Sequence, residues 1–412
     1  MLKGKRIILG VCGGIAAYKS VELLRLLKKA GANVKVATTK SALEFVGEMT
    51  FSVLSENDVM TDLFGDNLAK SANSNNSKDF SVRHIEWAKE ADAVVIAPAT
   101  ANIIGKLANG IADDALSTMM MAVTAPIILC PSMNTQMYEN RAVQRNLDIL
   151  EQDGILILEP GTGELACKTS GAGRLPEPEI IFDRVLKLFC QKDLKDKKIL
   201  ISAGPTRESI DPVRYISNHS SGKMGYAIAE AAEKRGALVT LVSGPVSISP
   251  PFGVNLINVE SAKEMADAMI KELDDSDIII KVAAVADYRP LMAQENKIKK
   301  CQRETGSLSI DLVENPDILQ MIGKMKREDQ FLAGFAAETQ NLDNYALEKI
   351  EKKNLDMIVG NIVGIKGSGF QADTNKVKFF FKDGSTYDIP LMDKLQVAHK
   401  LLDHIIPRVT KG

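Results

Sequence analysis

Short apolar runs alternate along this chain with longer stretches whose apolar residues recur every three or four positions. Arg6-Ile-Ile-Leu-Gly-Val11 has the make-up of a short buried strand, and Gly13-Gly14 behind it predicts a turn. From Ala16 to Lys29 the apolar positions Val21, Leu24 and Leu27 share one helical face, and Ala30-Gly31 stops that helix. Val34-Lys-Val-Ala37 reads as the next strand. Ala93-Val-Val-Ile-Ala97 and Ile127-Ile-Leu-Cys130 read as two more, each ending at a proline. Strands separated by helices predict an α/β fold with a parallel sheet covered on both faces. Ligands of such sheets sit in loops beyond the carboxyl ends of the strands.

The pattern then starts again. Gln191-Lys-Asp-Leu-Lys-Asp-Lys-Lys198 is highly charged, and Ile199-Leu-Ile-Ser202 follows as a strand. Lys3-Gly-Lys-Arg-Ile-Ile-Leu9 matches Lys195-Asp-Lys-Lys-Ile-Leu-Ile201, and Ala30-Gly-Ala-Asn-Val-Lys-Val36 matches Arg235-Gly-Ala-Leu-Val-Thr-Leu241. The expectation is two independently seeded α/β domains, 1–190 and 191–412, rather than a short-period repeat array. A length of 412 residues accommodates both. Segment 66–79 holds Asn67, Asn73, Asn75 and Asn76 among small polar residues and is expected to be a surface loop.

Composition removes several classes. With 45% hydrophobic and 25% charged residues, the chain is neither wholly disordered nor fibrous. A net charge of −2 gives no global attraction to nucleic acid or to an anionic membrane, although a local anion site needs only a few cations. The five cysteines, at 12, 130, 167, 190 and 301, are odd in number and lack a Cys-x-x-Cys pair, which points to a reducing compartment. Of the histidines at 84, 219, 399 and 404, His399 and His404 form a weak candidate metal pair. No unbroken apolar run reaches the roughly 18 residues a spanning helix needs. The start of the chain mimics a secretion signal, but it breaks at Gly13-Gly14 and passes into a helix bearing Lys19, Glu22 and Arg25. A cytoplasmic enzyme is the expectation.

The glycines at 10, 13 and 14 do not make G-x-G-x-x-G, which disfavours an NAD-type oxidoreductase. Gly13-Gly14-Ile15 before a helix can still bring backbone N–H groups to one phosphate, and Thr38-Thr39-Lys40-Ser41 adds hydroxyls at the same sheet edge. Ala97-Pro-Ala-Thr-Ala-Asn102 follows one strand, and Ile103 to Asp114 reads as a helix. Pro131-Ser-Met-Asn-Thr-Gln-Met137 follows another strand. Gly163-Glu-Leu-Ala-Cys-Lys-Thr-Ser-Gly-Ala-Gly-Arg174 reads as a glycine-rich loop with one thiol. Each alone is an ordinary loop; their order is specific. Trp87 is expected in the core.

In the second half, Gly204 to Gly225 combines Arg207, Arg214, Lys223, hydroxyls and glycines before the helix Ala227 to Lys234. That is a phosphate-site composition without a Walker loop. Ile278-Ile-Ile-Lys-Val-Ala-Ala-Val-Ala-Asp-Tyr288 reads as a strand ending in Asp287. Lys297-Ile-Lys-Lys300 is a basic run, and Gly334-Phe-Ala-Ala-Glu338 is expected to follow a strand. Lys349 and Lys353 share one helical face, for which a solvated surface is the usual explanation.

In these motifs the first half resembles the flavin-containing cysteine decarboxylases. Nearly the whole chain resembles the bacterial bifunctional phosphopantothenoylcysteine decarboxylase / phosphopantothenate–cysteine ligases of coenzyme A biosynthesis. The resemblance implies two Rossmann-like domains, a flavodoxin-like decarboxylase domain that binds FMN and a C-terminal ligase domain. It implies CTP as co-substrate, Mg2+ or Mn2+, and a homo-oligomer with trimer contacts in the first half and dimer contacts in the second. Small molecules (4′-phosphopantothenate, cysteine and CTP) are its expected partners.

Chemistry accounts for the residue types. Losing CO2 from an unactivated cysteinyl carboxylate leaves a carbanion without an electron sink. Oxidising the thiol to a thioaldehyde supplies the sink, and a flavin accepts the hydride. The resemblance implies Cys167 as the acid that returns a proton and His84 as a base or carboxylate partner. Asn134 then donates its amide N–H to the substrate carboxylate. It implies FMN contacts at Gly13, Gly14, Ile15, Thr38, Ser41, Thr100, Ala101 and Asn102. For ligation it implies an acyl-cytidylate formed with release of pyrophosphate. Arg214 and Asn218 bind phosphopantothenate, and Asn218 and Lys297 also act in catalysis. Lys281, Val282, Ala283, Asp287, Lys297, Glu314, Asn315, Pro316, Asp317, Phe335, Lys349 and Lys353 form the CTP site, with Asp287 at the metal. The alternative is a single-activity flavoprotein or regulatory subunit with one half degenerate.

Overall fold

The computed structural model describes residues 2–63, 83–164, 170–299, 308–338, 342–362 and 372–409. Segment 66–79 and Cys167 lie outside them. The chain divides into two units, Met1–Cys190 and Gln191–Gly412.

In the first unit six strands form one parallel sheet: β1 (Arg6–Val11), β2 (Asn33–Thr38), β3 (Val59–Met60), β4 (Ala93–Ala99), β5 (Ile127–Pro131) and β6 (Leu156–Ile157), in the order β3-β2-β1-β4-β5-β6. The helices Ala17–Lys29, Glu48–Ser55 and Pro178–Leu188 bury Leu23, Leu24, Phe51 and Val185 on one face. The helices Arg83–Glu90, Ala101–Ala108, Ala115–Met120 and Arg141–Gln152 bury Trp87, Ile104, Leu116 and Leu150 on the other. Trp87 is therefore core, capped by the Lys35 ammonium and the Arg83 guanidinium over its ring. Strand order reverses between β1 and β4, so the crevice at their carboxyl ends is the place for a ligand.

Three expectations for this unit change. β4 runs through Pro98 to Ala99, where the register with β5 shifts, because a proline is tolerated at a ladder irregularity. The helix expected over Ile103 to Asp114 ends at Ala108. Gly110 turns with φ +65°, and Asp114 then caps the next helix through Ser117 N–H at 2.8 Å. The glycine-rich stretch is an antiparallel ribbon, β7 (Gly161–Glu164) against β8 (Ser170–Arg174), and not a loop throughout.

The second unit opens with the same strand–helix–strand step, β9 (Lys198–Ala203), the helix Lys223–Lys234 and β12 (Leu238–Ser243), which pairs with β9 in parallel. Between β9 and the helix lies a small hairpin, β10 (Arg207–Ser209) and β11 (Tyr215–Ser217). β13 (Asn255–Asn258), β14 (Ile278–Lys281), β17 (Phe331–Glu338) and β18 (Met357–Ile362) extend the parallel sheet. β19 (Thr374–Phe381) and β20 (Thr386–Asp393) close one edge antiparallel, giving β13-β12-β9-β14-β17-β18-β19-β20. β15 (Tyr288–Pro290) and β16 (Leu312–Glu314) pair apart from it. The helices Lys223–Lys234 and Lys394–Val409 cover one face, and Ala262–Lys271, Ile318–Met325 and Leu342–Lys352 the other.

Two more readings change here. β14 ends at Lys281, although Val282 and Ala284 go on donating N–H to the Ser202 and Gly204 carbonyls beside β9, and Val282, Ala283 and Ala284 line a cleft. Gly334 to Glu338 is the end of β17, not a loop after it.

Candidate functional site

In the first unit a cavity of about 500 Å3 opens where β1, β4 and β5 end. Gly13, Gly14 and Ile15 follow β1, Thr100 and Ala101 follow β4, and Ser132, Met133 and Asn134 follow β5; all line it, with Gly173 and Arg174 from the ribbon. A Cβ on Gly13 would meet Ser41 Oγ at 2.4 Å, so the turn needs glycine to lie this close to the end of β2. Ser41 Oγ lies 3.1 Å from Thr39 Oγ1. Thr38 is buried, and its Oγ1 has no hydrogen-bond partner among the described residues. Asn134 Oδ1 accepts Gln136 N–H at 2.9 Å and so caps the helix Thr135–Tyr138, which fixes the amide nitrogen as the other end of the group. The ribbon is tied to this loop by Met133 N–H donating to Gly173 O at 3.0 Å.

The structure thus brings together Gly13, Gly14, Ile15, Thr100, Ala101 and Asn134. Ser41 stands behind Gly13, Thr38 pairs with Val11 in the sheet, and neither lines the cavity; Asn102 is exposed and does not line it either. His84 sits half-buried on Arg83–Glu90 and does not line the cavity of its own unit. Burial pushes the Cys12 thiol up to about 12 and raises that of Cys130 as well, so neither is a nucleophile.

The second unit has two adjoining cavities that share Phe335 and Ala336 at the end of β17. The first, about 390 Å3, is lined by Asn218, Val282 and Ala283 and by Ser220 to Gly222 at the start of Lys223–Lys234. The second, about 490 Å3, is lined by Lys281, Asp287, Glu314, Asn315, Pro316, Asp317, Lys349 and Lys353. The two helix lysines therefore face a cleft, and the solvated-surface explanation for them fails. Lys353 Nζ lies 2.7 Å from Asp317 Oδ2. Burial would raise the Asp317 carboxyl, but Lys353 and the Gln320 N–H it caps bring it below the usual range. Lys281 Nζ donates to Ala283 O at 2.9 Å; burial, then repulsion from Lys353, pulls its ammonium down to about 8.

Arg214 lines neither cavity. Its Nε and Nη2 donate to the buried Asp211 at 3.0 and 2.5 Å, and Nη2 also to Ile298 O at 2.9 Å. The guanidinium holds the Asp211 carboxyl well below the ordinary carboxylate range. Ile298 N–H donates to the same carboxylate at 3.1 Å, which tethers the neighbouring, exposed Lys297 outside both cavities. Asn218 Nδ2 donates to Val285 O at 2.9 Å. Among the described residues no group of three or more His, Cys, Asp or Glu could hold a metal ion. A magnesium site that takes most ligands from phosphates and water needs only one or two carboxylates, which Asp287 fits. No helix among them is long and apolar enough to cross a membrane.

Residues 1–190 match the flavoprotein family, and 194–408 match the family described as DNA/pantothenate metabolism flavoprotein C-terminal domain. The coenzyme A biosynthesis bifunctional protein CoaBC of Bacillus subtilis (strain 168) is 48% identical over 409 residues, 98% of this chain and 97% of its own. That of Escherichia coli (strain K12) is 45% identical over 408 residues, 99% and 98% of the two chains. A crystal structure of the C-terminal domain of a CoaBC protein is 44% identical with a TM-score of 0.46, covering 53% of this chain and 100% of that one. The chain belongs to the CoaBC family. It is a bifunctional enzyme of coenzyme A biosynthesis, a phosphopantothenoylcysteine decarboxylase and phosphopantothenate–cysteine ligase. Its first half is a flavoprotein domain.

Several lining residues carried no signal in the sequence. Lys19 lines the first-unit cavity, buried and paired with Glu177 at 2.8 Å, although its spacing on the helix marked it only as a polar position. Lys394 was equally silent, whereas Met133 and Gly173 lie inside motifs that the sequence does single out.

Proposed function

We propose that the two activities are divided between the units, decarboxylation in 1–190 and ligation in 191–412. The observation that carries this division is that each unit opens its own cavity at its own strand ends, the second unit's flanked by lysines.

For the first unit the reading includes FMN. A cavity of about 500 Å3 is within the ordinary range for a cofactor site, Gly13 leaves the turn free of a Cβ, and the Thr38 hydroxyl is buried without a partner. When bound, FMN supplies the acceptor for the hydride lost as the substrate thiol becomes a thioaldehyde. The chain's own groups do the rest. Asn134 presents its amide nitrogen to the substrate carboxylate, and Cys167 delivers a proton to the enethiolate. His84 acts from a neighbouring copy as base or carboxylate partner. Its absence from the cavity lining of its own unit supports that, as do the exposed Ile15, Tyr18, Phe45, Met49 and Val53. We read these as trimer contacts, and the exposed Val213, Tyr215, Leu291 and Met292 of the second unit as dimer contacts.

For ligation, the carboxylate of 4′-phosphopantothenate attacks the α-phosphorus of CTP. The bond to the β-phosphate breaks, and its electron pair leaves with pyrophosphate. The cysteine amine then attacks the acyl carbon, and CMP departs. Lys281, Lys349 and Lys353 offset nucleotide charge, Asp287 would hold a Mg2+ or Mn2+ that would offset phosphate charge, and Asn218 meets the acyl end. Arg214 and Lys297 act from outside the two cavities, on a segment pinned by Asp211. The enzyme works in the cytoplasm, without nucleic acid or membrane.

The test gives purified protein phosphopantothenate, cysteine, magnesium and either CTP or ATP, and follows pyrophosphate and CO2 separately. A yellow protein should release pyrophosphate with CTP and then CO2. Colourless protein, or CO2 without prior pyrophosphate, would refute the reading.

A further inference from the structure

His219 lines the first cavity of the second unit, and neither half of the ligation described above uses it. It is exposed and stands between Asn218 and Ser220, which line the same cavity. The chain on either side of it is pinned. Ser217 Oγ donates to Thr206 O at 2.7 Å, Asn218 Nδ2 donates to Val285 O at 2.9 Å, and Ser220 Oγ accepts Gly222 N–H at 3.3 Å. Gly222 then turns with φ +75°, where a Cβ would stand 2.7 Å from Val246 Cγ1, so the segment closes tightly against the loop after β12. The backbone that carries the imidazole is therefore fixed, one residue from the amide that meets the acyl end.

The rest of this wall is poorly suited to taking up a proton. Its described residues include no carboxylate, and their titratable side chains are those of His219, Lys223 and Lys394. Lys223 Nζ lies 2.6 Å from Asp373 Oδ1, and Lys394 is buried, away from the water that must finally receive a proton. An ammonium has donors and no acceptor. An imidazole takes and releases a proton near neutral pH, and an exposed one passes it to water. Ligation needs such a group, because the α-amine of cysteine is largely an ammonium at neutral pH and has no lone pair with which to attack.

We propose that His219 is the general base of the second half of ligation. This rests on the ligase reading and adds to it the proton transfer that frees the amine. A ring nitrogen of His219 takes one proton from the cysteine ammonium and then gives it to solvent. The freed lone pair forms the bond to the acyl carbon. The bond from that carbon to the CMP oxygen breaks, its electron pair leaves with CMP, and the second proton of the amine goes to the departing phosphate.

The experiment splits the reaction in the full-length protein. With phosphopantothenate and magnesium but no cysteine, exchange of labelled pyrophosphate into CTP reports formation of the acyl-cytidylate. Added cysteine reports amide formation. Hydroxylamine in its place reports capture by an amine that is already unprotonated at neutral pH. His219→Gln should keep exchange within about threefold of wild type, slow amide formation about a hundredfold, and leave hydroxamate formation near wild type. Amide formation within about threefold of wild type would overturn the proposal. Equal slowing with cysteine and hydroxylamine would also overturn it, because His219 would then act by placing the acyl end. Loss of exchange would do the same, by assigning His219 to the first half-reaction. Should His219→Gln not fold, His219→Ala decides: added imidazole that brings back none of the cysteine rate overturns the proposal. A wild type that carries out neither exchange nor amide formation sinks the ligase reading itself, whereas an active wild type matched by His219→Gln sinks this assignment alone.

Discussion

Gly173→Ala probes the lock between the ribbon and the Asn134 loop. Gly173 has φ +142°, and a Cβ there would stand 2.2 Å from Met133 O. The methyl must move by roughly 1 Å to reach ordinary contact, and a 1 Å misplacement near a reacting centre costs about a hundredfold in rate. Holding alanine in this backbone region costs about 1–3 kcal/mol. If the strands part, the Met133 N–H to Gly173 O bond is lost as well, about 1 kcal/mol more. The chain therefore relieves the clash by shifting the ribbon. The assay follows CO2 release from the ligated product, and pyrophosphate release from the same sample serves as control. CO2 release should fall about a hundredfold with pyrophosphate release unchanged. A variant that keeps its flavin and decarboxylates within about threefold of wild type would refute the argument, since the lock would not be positioning the acid. Parallel loss of both activities would also refute it, since the effect would then be global.

Lys281, drawn down to about 8, is charged below that pH and neutral above it, so CTP binding should take up a proton as pH rises past this value. Calorimetry in buffers of different ionisation enthalpy measures the uptake; a flat wild-type profile, or one unaltered in Lys281→Met, would contradict it. Arg235→Met strands the mostly buried Asp193, which accepts the guanidinium at 2.5 Å, and should cost about 3–5 kcal/mol. Thermal melts should show the second unit unfolding earlier, and an unmoved transition would count against the burial argument. Asp211→Asn should release Arg214 and the segment beside Lys297, abolishing pyrophosphate release while CO2 release from supplied ligated product persists. Because the folded Asp211 carboxyl titrates below its unfolded value, its contribution is present above about pH 4 and fades only as pH falls through the folded value. Ligation lost in Asp211→Asn at pH 7 but matched by wild type at pH 5 would show the sign to be wrong.

The parallel sheet and the two strand–helix–strand starts were legible because buried parallel strands leave apolar runs that turn residues bound. The Ala30 and Arg235 repeats mark the same helix stop before β2 and β12. Strand ends were not legible where small residues prevail. The run after Lys281 keeps its apolar character although β14 has ended, and Gly334 to Glu338 stays in its strand despite Gly and Ala. Side-chain size sets hydrophobicity in sequence, whereas pairing is decided by the neighbouring strand.

The site was legible to the extent that its parts follow strands directly. Gly13, Thr100 and Asn134 each come within four residues of a strand end, where this architecture puts ligands. Lys349 and Lys353 illustrate what spacing cannot supply. An i, i+4 pair defines a face but not what the face meets, and here the cleft wall from Glu314 to Asp317 makes it a binding surface. Lys394 is the extreme case. Nothing near it in sequence distinguishes it from other lysines, and its environment comes from Lys223, 171 positions earlier, and from a helix start that disfavours it.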